Sequence, residues 1–590
     1  MLKTRAIASW ISDNLLLILA YFLIAFIPLY PKLPLFDIIP GYIVRVRVED
    51  FVVLLAAFVW LVQFLRGKIV WRTPITWAIA AYAVVGILST ISAVVLTKTV
   101  PAEFLHIGKT VLHYFRYLEY FSLFFIVAAS ITSIRQLKSV FALISLTVVA
   151  LAIYGFGQRY WYWPVYSTMN REFSKGITLY LSEHARVQST FGGHYDLAAY
   201  LVVILPLILA GLLFFKQKLV KFLLSLVYFG GVWLLIQTAS RSSSLGFAVG
   251  SYIVIGFYAL SESTLLRRIL SFIRFSFLHT VVMLFLILRF GDDIYERFLQ
   301  TLKAYPKVND EYHALNKQRK ELFDGGEGYI LDKVLPESFK SRWLSMKKPK
   351  PPKNGLSTEQ ASVMVSSDEQ PSPDKPSDVY VNVPITKLVA TQSATGEITI
   401  QEINTPRDYS AEAKKSGLSA AIRYDTLWPR AIAGFKKNPL LGSGYATLTK
   451  ESAIQFTEAE STDNNFLRTL GETGLLGFIT FYGAITTMLY VAFRLIAKSK
   501  DNVYATVFAS GFIAASIGLL INAIYIDVFA ASKVAFTFWA FAGVVAAAYM
   551  KSSDSIPVLQ GITTKNLAHI FDTTQRQAAT PKRKKKHTAP

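Results

Sequence analysis

Long apolar runs, each about the length a bilayer demands, alternate with short polar segments along this chain. A helix crossing a hydrocarbon core of roughly 30 Å needs about 20 apolar residues, because all its backbone polar groups must be bonded within the segment. Twelve stretches qualify, near 14–30, 49–65, 75–97, 112–131, 138–159, 195–215, 219–237, 243–260, 272–290, 466–495, 502–525 and 531–550. They predict an all-α polytopic membrane protein with about 12 transmembrane helices and one large extracytoplasmic loop domain. The stretch 466–495 exceeds what one crossing needs and leaves room for an external helical start.

Basic residues in the short loops orient these spans, since cations close to a span resist translocation. Arg66, Lys68 and Arg72, then Arg135 and Lys138, Lys216, Lys218 and Lys221, Arg267, Arg268 and Arg274, and Arg494, Lys498 and Lys500 fall in alternate loops, which are assigned to the cytoplasm. Lys582 to Lys586 put the C-terminal tail on the same side. The first apolar run follows Lys3 and Arg5 without an early small-residue cleavage site, and is read as a retained span with the N-terminus inside. Segments 31–48, 98–111, 160–194 and 291–465 are then external. The domains expected are a bundle of about nine spans over 1–290, the external loop 291–465, about three spans over 466–550, and a basic cytoplasmic tail over 551–590.

Within the loop, 347–378 is rich in Pro, Ser, Lys and Asp and has the composition of a disordered insertion. Residues 379–403 alternate like a short hairpin, and 418–435 place apolar residues at helical spacing ahead of Pro439 and Gly442. The tail is expected to be disordered; its basic cluster either binds anionic membrane lipid or only enforces topology. With 53% hydrophobic and 17% charged residues, the chain is too apolar for a soluble protein of its size. Topology therefore explains the net charge of +22 better than a nucleic-acid partner does. The absence of cysteine excludes disulfides, thiolate catalysis and cysteine metal sites.

Four polar clusters share the external side. Arg241 stands among Ser240, Ser242 and Ser243 between two spans, where it either pairs with an anion or snorkels to the interface. Arg186 and His194 flank Gly192 and Gly193 in a turn that leads into a span. There they either face an anionic ligand on a close backbone or belong to a loop capped by Asp196. Arg423 and Arg430, seven residues apart, share a helix face beside Trp428, an arrangement suited to a diphosphate or simply to solvent. Asp463, with Asn464 and Asn465, precedes a long apolar helix and either belongs to the polar site or simply caps that helix, and Glu472 requires a partner such as Arg468 one turn earlier. Asp292 and Asp293 make a poor magnesium site alone, the His residues lack ligand spacing, and Asp324 to Gly328 lacks the rest of a phosphate loop, so no metal is assigned.

These clusters resemble the O-antigen ligase and O-antigen polymerase superfamily of bacterial membrane glycosyltransferases. Likeness is strongest at Asp463-Asn464-Asn465-Phe466-Leu467 with Gly471-Glu472-Thr473-Gly474, then at Arg423, Trp428 and Asn438 to Gly444, then at Ser240-Arg241. Arg45 to Asp50 and Arg186 to Leu201 support it. The resemblance implies about a dozen spans with cytoplasmic termini in the bacterial inner membrane. It further implies transfer of a glycan from an undecaprenyl-diphosphate carrier to an acceptor glycan, lipid or protein hydroxyl, without metal, nucleotide or other cofactor. Arg241 and Arg423 would bind the carrier diphosphate and Asp463 would take the acceptor proton. Arg186, His194, Arg430, Asn464 and Glu472 would line the substrates. Ligases of that family commonly carry His where this chain has Asp463, which favours chain polymerisation over ligation to lipid A core. Two alternatives are a lipid-linked oligosaccharide flippase or transporter without chemistry, and a protein O-oligosaccharyltransferase.

Overall fold

A computed structural model describes residues 2–36, 38, 45–69, 71–168, 173–182, 185–291, 356–357, 385–392, 398–405, 422–448, 462–499 and 502–553. It is mostly helical. Nine helices come first: α1 (Leu2–Leu29), α2 (Val48–Leu65), α3 (Thr76–Val95), α4 (Phe104–Ser130), α5 (Ile134–Trp161), α6 (His194–Phe214), α7 (Lys218–Gln237), α8 (Arg241–Leu260) and α9 (Leu265–Phe290). A short helix α10 (Trp428–Lys437) precedes α11 (Asn465–Lys498), α12 (Val503–Asn522) and α13 (Ser532–Ser553). Ten of these are long and apolar enough to cross a membrane, namely α2, α3, α5 to α9 and α11 to α13. The apolar part of α1 spans Asn14–Leu29. In α4, apolar stretches are interrupted by Lys109, Arg116 and Glu119, and the helix begins eight residues ahead of the expected 112.

Burial divides the helices into a centre and a rim. The apolar windows of α6, α13 and α12 are 89%, 83% and 72% buried, whereas those of α2 and α9 are 22% and 11% buried. Leu54, Leu55 and Phe58 on α2, and Phe277, Leu284 and Phe285 on α9, point outward. A continuous apolar rim of this kind suits lipid and would be costly in water. At the centre α12 packs on α8 and α6, α13 on α4, and α11 on α3 and α10. Helices α8 and α12 meet at Gly246 and Gly518, where a Cβ on either residue would collide with the other's carbonyl.

Strands β1 (Leu179–Tyr180) and β2 (Leu356–Ser357) form a parallel pair, and β3 (Ile385–Gln392) and β4 (Ile398–Thr405) form the hairpin expected near 379–403, with Ile385 opposite Thr405. The expected disordered stretch 347–378 lies outside the described residues apart from Ser357 and its neighbour Leu356, as do Asp292, Asp293, Asp324 to Gly328 and the tail beyond Ser553.

Two expected helices are interrupted. The segment expected as one helix over 418–435 has a π-helical turn at Arg423–Leu427, in which the Trp428 amide donates to the Arg423 carbonyl, before α10 begins. Pro429 lacks an amide, and the wider turn ahead of it accommodates its ring. Helix α11 breaks at Gly474 (φ 66°, ψ −165°), a conformation open essentially to glycine. The segment 438–448 fills that break. Leu475 and Leu476 amides donate to the Pro439 and Leu440 carbonyls at 2.9 and 3.2 Å, and Ser443 and Gly444 amides donate to the Gly471 and Glu472 carbonyls at 2.8 and 2.9 Å. The first two turns of α11 thus form a separate unit, clamped by this segment.

Candidate functional site

One end of the bundle gathers the polar clusters. The Asn465 amide at the start of α11 donates to the Ala523 carbonyl just past α12 (2.8 Å), and the neighbouring Asn522 side chain donates to the Ser243 hydroxyl in the first turn of α8 (2.9 Å). The Val187 amide donates to the Gln237 carbonyl at the end of α7 (3.1 Å). At the start of α13, the Lys533 ammonium donates to the carbonyls of Pro28, Tyr30 and Thr190 at 3.1, 2.6 and 2.9 Å. The ends of α1, α6, α7, α8, α11, α12 and α13 therefore meet in one polar layer.

Arg423 and Asp463 are brought together there. The guanidinium lies 3.0 Å from the carboxylate, with the side chains 14% and 15% exposed, so the pair is sheltered yet reachable. Arg423 also donates to the Tyr525 carbonyl at 3.3 Å. Asp463 does not cap α11: the Asn464 side chain does so, accepting from the Leu467 amide at 2.9 Å. The reading of Asp463 as an N-cap is thereby overturned, and its carboxylate is turned to Arg423 instead. Its φ of 50° is left-handed, a conformation that aspartate tolerates better than most residues.

Behind this pair lies a buried ionic triad. Arg468 reaches Glu472 at 3.4 Å, the pairing expected from their spacing, and Asp527 at 3.1 Å. Asp527 in turn accepts the amides of Thr462 (2.8 Å) and Asn464 (3.1 Å). Glu472 also accepts the Ala446 amide at 3.0 Å, fastening the 438–448 segment to α11. Tyr445 in that segment packs against Tyr114 and Tyr117 of α4, with ring centroids 5.8 and 5.6 Å apart, and burial pushes its hydroxyl pKa up.

The remaining expected residues divide. Arg241 is exposed at the first position of α8, in the same polar layer and two residues before Ser243. Arg186 and His194 touch each other at 2.5 Å, and the guanidinium lies 5.8 Å from the centre of the Tyr195 ring. Three further expectations are corrected. The π turn inserts an extra residue between Arg423 and Arg430, which rotates Arg430 by roughly 100° away from the shared face. Gly192 does not open room for a ligand, because a Cβ there would collide with Thr168 and meet Lys32. Asn464 and Glu472 are buried and committed to the chain's own backbone and ion pairs, and so are not free to line a substrate.

Several polar residues at this end form ion pairs that were not anticipated from the sequence. Asp196 does not cap α6; it pairs with Lys32 at 3.3 Å, and burial pushes the Lys32 pKa below its ordinary value, with Asp196 partly opposing the shift. Arg116 on α4 reaches Asp50 of α2 at 2.6 Å and Glu119 at 2.8 Å, and Arg47 lies 3.6 Å from the fully buried Glu49. Ionisable residues inside an apolar run were the available signal, and Lys109, Arg116 and Glu119 within α4 and Lys533 at the head of α13 carry it. Among the described residues no group of three or more His, Asp or Glu is placed to hold a metal ion. No protein-family model and no curated protein matches the chain.

Proposed function

We propose that this chain is a metal-independent membrane glycosyltransferase of the O-antigen ligase and polymerase kind. It moves a glycan from an undecaprenyl-diphosphate carrier to an acceptor hydroxyl on the extracytoplasmic face of the bacterial inner membrane. In this reading α1 and α4 span the bilayer with the ten strongly apolar helices, and both termini are cytoplasmic. The observation that carries it is the sheltered Arg423–Asp463 pair at the polar end of the bundle, with Arg241 one helix away.

The chemistry is a displacement at the anomeric carbon. Diphosphate oxygens compete with Asp463 for Arg423, and Arg241 supplies a second cation. The carboxylate released from Arg423 faces the acceptor hydroxyl. The acceptor oxygen bonds to the anomeric carbon, its proton passes to Asp463, and the carbon–oxygen bond to the carrier breaks with its electron pair leaving on the diphosphate. Charge building on that leaving group meets fixed guanidinium groups where water is scarce, the setting in which such stabilisation is largest.

Arg423→Ala and Arg241→Ala should nearly abolish chain growth when purified protein is given an undecaprenyl-diphosphate oligosaccharide, while membrane insertion stays intact. Near-normal transfer by both variants would remove the assignment. The sidedness has its own check, because the chain has no cysteine and single cysteines can be read without background. Lys98→Cys should label from outside intact cells and Lys68→Cys only after permeabilisation.

A further inference from the structure

The turn that presents Asp463 has left-handed backbone at a residue other than glycine, and the described contacts show what holds it there. The two carboxylate oxygens of Asp527, in the turn between α12 and α13, accept the amides immediately before and after Asp463. Oδ2 takes Thr462 N at 2.8 Å and Oδ1 takes Asn464 N at 3.1 Å. A carboxylate gripping residues i−1 and i+1 leaves the residue between them little freedom and projects its side chain away from the grip. Arg468 fixes the orientation of Asp527 from behind through Oδ2 at 3.1 Å. The same two segments are joined twice more, by Asn465 N to the Ala523 carbonyl at 2.8 Å and by Phe529 N to the Asn465 side chain at 3.1 Å. Arg423, the partner of Asp463, is itself held by the Tyr525 carbonyl of that turn.

We propose that Asp527 is the positioning residue of the site: by clasping the amides on both sides of Asp463 it aims that carboxylate at Arg423 and the acceptor. The proposal rests on Asp463 acting as the proton acceptor described above. Asp527 itself is 6% exposed and its oxygens are occupied by protein donors, so its contribution passes through Asp463. Asparagine at 527 keeps the shape but offers one acceptor oxygen where two are used and replaces the other with a donor facing an amide.

The experiment has two arms on the full-length purified protein. In the first, hydrogen exchange of a peptide covering Thr462 to Asn464 should quicken at least tenfold in Asp527→Asn, with exchange over residues 478–495 of α11 unchanged. Unchanged exchange at 462–464 would overturn the clasp whatever the protein catalyses. In the second, chain growth on an undecaprenyl-diphosphate oligosaccharide should show kcat lowered about 100-fold in Asp527→Asn at similar donor KM, the scale expected of a misaimed group. Asp463→Asn should be at least as damaged, and the double variant no worse than Asp463→Asn alone. Asp527→Glu, which keeps the charge facing Arg468 on a longer stem, should recover part of kcat. Inactive Asp463→Asn with normal kcat in Asp527→Asn would overturn the positioning role alone. Normal transfer by Asp463→Asn, or none by the wild type on this probe, would sink the proposed chemistry while the exchange arm still decides the clasp.

Discussion

Lys533 offers the sharpest test of how this bundle is closed. Its ammonium is fully buried, sits 4.6 Å from the centre of the Phe191 ring, and donates to three carbonyls from two distant segments. Pro28 and Tyr30 end α1, where carbonyls have no intrahelical donor, and Thr190 precedes α6. Replacing Lys533 by Met keeps the length and removes the donor. The Pro28 carbonyl retains the Thr190 hydroxyl at 2.6 Å, so the Tyr30 and Thr190 carbonyls bear the loss. At about 1–3 kcal/mol for each stripped acceptor the gross cost is about 2–6 kcal/mol. No ammonium need then be taken out of water, which returns part of it, and a net loss of about 2–4 kcal/mol is expected. Equilibrium unfolding in mixed micelles, followed by tryptophan fluorescence, measures it. A Lys533→Met protein within about 0.5 kcal/mol of wild type, the range of an ordinary surface change, would refute the reasoning.

Other outcomes follow from the same contacts. Arg468→Met leaves Glu472 and Asp527 buried without their cation and should cost about 3–5 kcal/mol, only part of it restored in the triple variant with Glu472→Gln and Asp527→Asn because Asn at 527 gives up one amide acceptor, as read by thermal unfolding in detergent. Gly474→Ala forces a side chain into a backbone region reserved for glycine and against the Leu440 carbonyl. A loss of at least about 1–3 kcal/mol should appear in the same assay. Gly246→Leu pushes α8 from the Gly518 carbonyl of α12 and should lower thermal stability, and with it the proposed glycan transfer if Arg241 at the head of α8 binds the carrier as proposed.

The membrane character was readable because it follows from one-dimensional quantities, the length and apolarity of runs. Each expected stretch coincides with a helix, and ten of the helices satisfy the requirement for crossing. What periodicity could not convey is where a helix is interrupted by its partners. Gly474 looks like any glycine in an apolar run until the 438–448 segment is laid against it, where the Leu475 and Leu476 amides are bonded to that segment and a Cβ at 474 would collide with the Leu440 carbonyl. The π turn at Arg423–Leu427 is similar: Pro429 marks a difficulty, but whether the chain answers with a kink, an end or a widened turn is decided by packing.

At the site, residue type and local spacing carried the Glu472–Arg468 pair, and the shared external side assigned Arg423 and Asp463 to one site, but not that the two would pair directly. Their meeting depends on a third element, the turn between α12 and α13, about 60 residues further along the chain from Asp463, where Tyr525 and Asp527 look like ordinary loop residues. A carboxylate that accepts two backbone amides leaves no sequence pattern, since any residue can supply an amide. The capping ambiguity at 463–464 has the same origin: both Asp and Asn serve as helix caps, and it takes the tertiary contacts of this turn to show one side chain on the Leu467 amide and the other on a guanidinium. In this fold the separation of the cap from the carboxylate that pairs with Arg423 is therefore a tertiary property, found beside a buried acid that accepts the amides on both sides of Asp463.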